Sequence, residues 1–141
     1  MFEELDEFLQ DFATDKISSD YWYNSACEDA MEMVEQFNEE DWMELFSHIN
    51  ERSDLWKERL VWCLDNENDP HQIKLLAELI HTDNDKLFLS VADTMRSFDV
   101  RFLNGDEQVL KRIDDLIPKV DNMESLLLLD FRKKVTGNTE E

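Results

Sequence analysis

Residues 53–98 read SDLWKERLVWCLDNENDPHQIKLLAELIHTDNDKLFLSVADTMRSF. Apolar residues recur in this stretch at the three- and four-residue spacing of amphipathic helices, and the two breaks between them are rich in Asn and Asp, which favour turns and helix N-caps. The pattern predicts three short helices in a row, at residues 55–64, 73–80 and 87–98. None of them can bury its apolar face alone, so we expect this stretch to form the centre of a stack of helices.

The chain on either side of this stretch continues the same pattern. Its apolar stripes predict further helices at about residues 2–12, 20–37, 38–49, 107–116 and 122–135. Only two Gly and two Pro are present, which disfavours sheets joined by tight turns. The sequence therefore predicts an all-α fold of seven or eight short helices, arranged as an irregular bundle or a stack of helical hairpins. We expect one domain over residues 1–136 and a frayed tail at 137–141.

The charge of the chain is strongly negative and unevenly distributed. Thirty-five acidic residues against 14 basic ones give a formal net charge of −21. Residues 1–50 contain 15 Asp or Glu and a single base, Lys16, so their net charge is −14. Binding to nucleic acid needs clustered Lys and Arg, and an anionic membrane would repel such a chain. A basic protein, in contrast, would be attracted and steered towards it.

The two cysteines and the termini indicate where such a chain would work. Cys27 and Cys63 fall within helical apolar patterns, where a cysteine behaves as a small buried hydrophobe, so we expect reduced thiols. The acidic start of the chain does not resemble a signal peptide, and no apolar run approaches the length of a membrane span. These features predict a cytoplasmic protein without a membrane partner.

Acidic residues on two successive predicted helices and their joint are the main candidates for partner binding. The set is Asp29, Glu32, Glu35, Glu39, Glu40, Asp41 and Glu44. Outward-facing acids on two antiparallel helices would form one negative patch. The alternative is a solvated face that only maintains solubility, but such a face usually mixes both signs of charge through neighbouring helical pairs. The near absence of Lys therefore favours a surface that attracts a basic partner.

The aromatic residues supply one further candidate. Tyr21 and Trp22 stand close to a helix start, and Tyr and Trp are enriched at binding hot spots. We expect Trp22 to be buried and Tyr21 to be the exposed residue that contributes to partner binding. The other three tryptophans, Trp42, Trp56 and Trp62, fall on or beside apolar stripes and are expected in the core.

The chain carries no catalytic signature, and we expect neither enzymatic activity nor a cofactor. Glu78 and His81 have the Glu-x-x-His spacing of di-metal bundle sites, but the second matching pair is missing. Acidic residues alternate at 65, 67 and 69 as at the start of a calcium loop, but Pro70 stands where Gly is required, and Leu76 where Glu is required. No nucleophile motif or phosphate-binding loop is present.

Two segments carry a family resemblance. Residues 41–46, DWMELF, and residues 53–60, SDLWKERL, resemble the tryptophan-containing short helices of bacterial toxin-immunity proteins, including those paired with contact-dependent growth-inhibition toxins. The helix pairing through residue 98 also resembles HEAT-like stacks. The resemblance implies binding to a basic toxin domain, often a nuclease, and occlusion of its active site or substrate path.

Three hypotheses follow from these patterns. The first is an inhibitor of a basic toxin. The second is another acidic interaction module, such as a DNA mimic or an adaptor, and the third is a helical enzyme with a carboxylate metal site.

Overall fold

The computed structural model describes residues 1–13, 22 and 26–137, and within these residues the chain forms eight α-helices and no strand. The helices are α1 Phe2–Phe12, α2 Cys27–Glu35, α3 Glu39–His48, α4 Asp54–Val61, α5 Pro70–Leu79, α6 Asp85–Met95, α7 Glu107–Leu116 and α8 Asn122–Thr136. Short 3-10 turns lie at Ile49–Glu51, Arg101–Leu103 and Ile117–Lys119. The all-α prediction is confirmed.

The helices begin where the sequence offers capping side chains. Ser53 accepts a hydrogen bond from the Trp56 backbone N–H at 3.1 Å, which starts α4. Asn84 caps α6 in the same way, and Asp106 caps α7. Each side chain satisfies a backbone N–H that has no partner within its helix, so these starts were predictable from the residue type.

The ends of α4 and α6 lie three residues before the predicted ends. α4 stops at Val61, and the Cys63 N–H then bonds to the Leu60 carbonyl at 2.8 Å. α6 stops at Met95, and the Phe98 N–H bonds to the Met95 carbonyl at 2.9 Å. In these three-residue turns the chain is wound more tightly than in the helix, and Cys63 and Phe98 remain buried. Because both residues continue the apolar pattern of their helix, the sequence predicted helices that were too long.

The chain divides into two compact units, Met1–Asp65 and Asn66–Glu141. The division falls inside the stretch that was expected to be the centre of the fold. In the first unit α1 packs against α2, α3 and α4. Its residues Phe2, Leu5, Leu9 and Phe12 are buried, so the N-terminal helix, rather than the quoted stretch, is the centre of this unit.

The second unit is built around its last helix. α8 packs against α6, α7 and the turn Arg101–Leu103, and α5 packs against α6. Leu128, Phe131 and Val135 of α8 are fully buried. Of the expected tail, residues 138–141 lie outside the described residues, and the single domain over residues 1–136 stays a prediction.

Three of the four tryptophans are buried as expected. Trp22, Trp42 and Trp56 are at most 3% exposed. The prediction for Trp62 is wrong, because its side chain is 44% exposed. Trp62 is the C-cap residue of α4 and has helical backbone angles, and its spacing of two residues from the buried Leu60 puts it on the other side of the helix.

Candidate functional site

The carboxylates proposed from the sequence as a partner surface lie on α2, α3 and the joint between them. Six are exposed, and we call them the acidic face: Asp29, Glu32, Glu35, Glu39, Glu40 and Glu44. α2 buries Val34 and α3 buries Leu45, each with its helical neighbours. The 3.6-residue period then leaves the intervening acids on the outside.

Both helices of the acidic face are held mainly by α1. The sequence suggested a hairpin of two paired helices, but α2 and α3 each pack against α1 more than against each other. The exposed side of α1 is itself acidic and was not among the candidates; its exposed acids are Glu3, Glu4, Glu7 and Asp11. They could have been found from the sequence, because they alternate with the buried residues of α1.

Few cations in the first unit compensate these carboxylates. Residues 1–65 contain 19 Asp or Glu and four Lys or Arg, a net charge of −15. Arg52 binds Asp6 through two hydrogen bonds of 2.9 and 2.7 Å, and Arg59 is buried with its Nε donating to the Phe12 carbonyl. Among the described residues, no ion pair involves Asp29, Glu32, Glu35, Glu40 or Glu44. The first unit therefore retains most of its negative charge at the surface.

Several carboxylates of the second unit form ion pairs with arginines of the same unit. Residues 66–141 contain 16 Asp or Glu and ten Lys or Arg, a net charge of −6. The described pairs are Arg96 with Asp93 and Asp130, Arg101 with Asp99, Arg112 with Asp85, and Arg132 with Asp114. The hydrogen bonds from Arg101 lower the pKa of Asp99 to about 2. Internal pairing thus neutralises much of this unit, which leaves the first unit as the main source of the negative field.

Asp41 has a structural role and is not part of the acidic face. It is 8% exposed, and its carboxylate accepts backbone N–H bonds from Asn38 at 3.0 Å and Phe2 at 3.2 Å. The Met1 amine lies 3.3 Å away. The bond from Asn38 is the largest cause that holds the pKa of Asp41 below its usual value; burial acts to raise that pKa, and the contacts with Phe2 and the Met1 amine lower it further. Asp41 therefore joins the starts of α1 and α3 and has little surface to offer a partner.

One apolar side chain lies within the acidic face. Met43 is 69% exposed and is four residues after Glu39, three after Glu40 and next to Glu44. On a helix this spacing puts Met43 on the same side as those glutamates. An unbranched, polarisable side chain of this kind adapts to irregular partner surfaces.

The aromatic candidate Tyr21 lies outside the described residues. Its neighbour Trp22 is fully buried, and the ring centroids of Trp22 and Phe12 are 5.3 Å apart. The Arg59 guanidinium lies 5.6 Å from the Trp22 ring. Trp22 thus belongs to the core as expected, and Tyr21 as a partner contact stays a prediction.

Two of the groups that suggested metal chemistry, His81 and Asp69, have structural partners. Both ring nitrogens of His81 are engaged, Nδ1 with the Ala77 carbonyl and Nε2 with the Asp106 carboxylate, each at 3.1 Å. Asp69 accepts from the His71 N–H at 2.9 Å and caps α5. In the part of the chain that the structure describes, no three His, Cys, Asp or Glu side chains are grouped to hold a metal ion.

A shallow cleft and two thiols are the remaining features of chemical interest. The cleft has a volume of about 190 Å³ and is lined by His81, Lys111 and Asp115 among others. Small-molecule sites usually have about 300–1,000 Å³. Cys27 and Cys63 are buried thiols, and burial raises the pKa of both. A raised pKa keeps the thiolate scarce, which does not suit a nucleophile.

Arg112 on α7 holds the connection between α5 and α6. Its guanidinium donates to the carbonyls of Thr82 at 2.7 Å and Asp83 at 2.8 Å, and to the Asp85 carboxylate at 2.7 Å. We expect Arg112→Gln to lower the free energy of unfolding by about 1–2 kcal/mol, because two main-chain acceptors lose their donor. Urea unfolding followed by circular dichroism measures this loss.

Lys111→Gln is the matched control for Arg112→Gln. Lys111 is the neighbouring residue, is exposed, and loses the same charge. We expect a change below about 0.5 kcal/mol. Equal effects of the two substitutions would show that the charge of the side chain, and not the hydrogen bonds from Arg112 to the connection between α5 and α6, stabilises the unit.

Comparison with known proteins adds no family to this description. No protein-family model, curated protein or solved structure matches the chain. No helix among the described residues is long and apolar enough to cross a membrane.

Proposed function

We propose that the chain is an immunity protein that binds a basic protein toxin in the cytoplasm and neutralises it. The expected toxin class is a nuclease, and the expected mode is occlusion of its active site or of the path of its substrate. The observation that carries this proposal is the acidic face, a set of exposed carboxylates in a unit of net charge −15 with few cations of its own.

The proposed mechanism follows from the chemistry of nuclease surfaces. Lys and Arg that are positioned for phosphates would meet the carboxylates of α2 and α3 instead. The long-range field of the first unit would speed the encounter of the two proteins. Paired Arg and carboxylate groups around Met43, once desolvated, would slow dissociation, because close packing and charge-assisted bonds act mainly on the off-rate.

The gene next to the one that encodes this chain provides the test. Its product would be expressed in a laboratory bacterium with and without the full chain. We expect the product to contain a basic domain that arrests growth alone, and we expect growth to return when the chain is present. Purified chain should also form a complex with that domain and inhibit its nuclease activity.

Two outcomes would contradict the proposal. One is a neighbouring product that is harmless and does not bind the chain. The other is capture, from the source cell, of a DNA-binding protein that is not toxic, which would indicate the second class, a DNA mimic or adaptor. Both classes would use the acidic face, so only the identity of the partner separates them.

A further inference from the structure

The turn before α7 contains the one Asn-Gly dipeptide of the chain, Asn104-Gly105. The Asp106 N–H bonds to the Leu103 carbonyl at 2.9 Å, Asn104 has a φ of −60° and a ψ of 124°, and Gly105 has a φ of +85°. These are the angles of a type II turn, whose third residue needs a positive φ that glycine adopts without strain. The turn therefore places an asparagine directly before the residue with the smallest steric demand.

Asn104 and Gly105 are both exposed, and their reactive groups are not engaged elsewhere. Among the described residues, neither the side-chain amide of Asn104 nor the N–H of Gly105 takes part in a hydrogen bond. A Cβ built on Gly105 would have no heavy atom within 4 Å, so the space around its backbone is open. The side-chain carbonyl carbon of Asn104 and the backbone nitrogen that follows it are therefore accessible to each other.

The other asparagines of the described residues lack this combination. Each is followed by a residue with a side chain, whose Cβ crowds the backbone nitrogen. Asn38 and Asn84 in addition use their side-chain oxygens to cap α3 and α6. Asn50 is the nearest match, because it is exposed and its side chain has no hydrogen bond in the described part of the chain, but Glu51 follows it. Asn50 therefore serves as an internal reference for the effect of the glycine.

We propose that Asn104 is a site of spontaneous deamidation. The backbone nitrogen of Gly105 attacks Cγ of Asn104, so that a bond between this nitrogen and Cγ forms and the bond between Cγ and Nδ2 breaks. Nδ2 takes the proton of the Gly105 N–H and leaves as ammonia, and a five-membered succinimide remains. Water then opens the ring, at Cγ to give aspartate or at the main-chain carbonyl carbon to give isoaspartate. Neither step needs an oxidant, a cofactor or another protein.

The closed turn slows this reaction but does not prevent it. At a ψ of 124° the Gly105 nitrogen is turned away from the Asn104 side chain, so the chain has to rotate about the Cα–C bond of Asn104 before the attack. This rotation breaks the hydrogen bond between Asp106 and Leu103 that closes the turn. A single surface turn opens far more readily than a whole unit unfolds, and glycine tolerates the new angles. Deamidation should therefore proceed in the folded chain.

The isoaspartate product alters the start of α7. Its main chain runs through Cβ and Cγ of residue 104, which adds one backbone atom before Asp106. The Asp106 carboxylate accepts from the Val109 N–H at 3.1 Å and lies 3.1 Å from Nε2 of His81. A displaced carboxylate cannot keep both contacts, so the isoaspartate form should lose the cap of α7. Aspartate at position 104 adds a charge but leaves the backbone unchanged, so it should keep the cap.

Incubation of the full chain at mildly alkaline pH and physiological temperature, followed by peptide mass spectrometry, tests the proposal. We expect Asn104 to convert at least about tenfold faster than Asn50 in the same sample. Backbone fragmentation should show isoaspartate as well as aspartate at position 104. The isoaspartate form, separated by ion-exchange chromatography, should unfold at a temperature at least about 2 °C below that of the unmodified chain. Circular dichroism measures this shift.

Two variants separate the reaction from its consequence. Asn104→Gln keeps an exposed amide, but its side chain is one methylene longer, which disfavours ring closure, so position 104 should remain unmodified under the same conditions. Freshly prepared Asn104→Asp carries the charge of the products without the longer backbone. Its unfolding temperature should stay within about 1 °C of that of the wild type, as for most exposed substitutions.

Three results would overturn the proposal. Conversion of Asn104 that is no faster than that of Asn50 would remove the site. Aspartate as the sole product, or an isoaspartate form with the unfolding temperature of the unmodified chain, would remove the predicted loss of the α7 cap. These measurements involve no partner, so their outcome is independent of the proposed binding to a toxin.

Discussion

Neutralising five carboxylates of the acidic face should weaken binding to the basic partner by at least about 100-fold at low salt. The variant carries Asp29→Asn together with Gln in place of Glu32, Glu35, Glu40 and Glu44. Glu39 is kept because it takes part in other interactions of the fold. The five side chains are exposed and, among the described residues, have no ion pairs, so their removal should not reduce stability. Surface plasmon resonance against the toxin domain gives the affinity.

The matched control makes the same change of charge on the second unit. It replaces five exposed carboxylates of that unit by their amides: Glu67, Glu78, Asp83, Glu107 and Asp115. We expect a much smaller loss of affinity at the same low salt, and a change of less than about threefold at physiological salt, because exposed charges outside the contact are largely screened there. If the two variants lose the same affinity, the total charge of the chain attracts the partner and the acidic face has no special role.

The second large effect is expected at Asp41, and it concerns stability rather than binding. Asp41→Ala should lower the free energy of unfolding of the first unit by about 2–3 kcal/mol, because the N–H groups of Asn38 and Phe2 lose a buried acceptor. Asp41→Asn keeps one side-chain oxygen as an acceptor and should lose about half as much. Chemical denaturation at several pH values measures both.

The pH dependence identifies the charge of Asp41 as the cause. Its pKa is lower in the folded chain than the ordinary value of 3.8, so the stabilisation is complete above that value and is lost as the pH falls below it. The difference in stability between the wild type and Asp41→Asn should therefore be constant near neutral pH and shrink below about pH 4. A difference that does not change with pH would mean that hydrogen bonding alone, without the charge, is responsible.

Binding supplies the second control for Asp41. Since the carboxylate is buried, the folded Asp41→Asn variant should bind the basic partner with an affinity within about twofold of that of the wild type. A loss of affinity as large as that of the five-residue variant would show that Asp41 contacts the partner, as the sequence predicts.

Local features of the fold could be predicted from the sequence because local chemistry determines them. Ser53, Asn84 and Asp106 are capping residues by type, and each satisfies a backbone N–H three residues later. The amphipathic spacing of α8 likewise gave its bounds to within one residue. The exposure of the acidic face followed from the same period, since apolar residues on α2 and α3 fix which side is buried.

Features that depend on distant contacts could not be predicted. Nothing in the spacing of residues 53–98 shows that the packing centres are α1 and α8. Asp6 and Arg52 are 46 positions apart. They pair only because α1 packs against α3, which leads into the turn Ile49–Glu51 just before Arg52. The sequence pattern makes Asp41 one acid in an acidic run, but the packing of Phe2 against the start of α3 makes it a buried acceptor.

The salt dependence of association tests the central claim most directly. The association rate constant of the full chain with the toxin domain would be measured by stopped-flow fluorescence between about 50 mM and about 500 mM NaCl. If the uncompensated carboxylates of the first unit attract a basic partner, the rate constant should fall by at least about tenfold over this range. A rate constant that stays within about twofold would contradict the claim, because an encounter driven by these charges cannot be indifferent to screening.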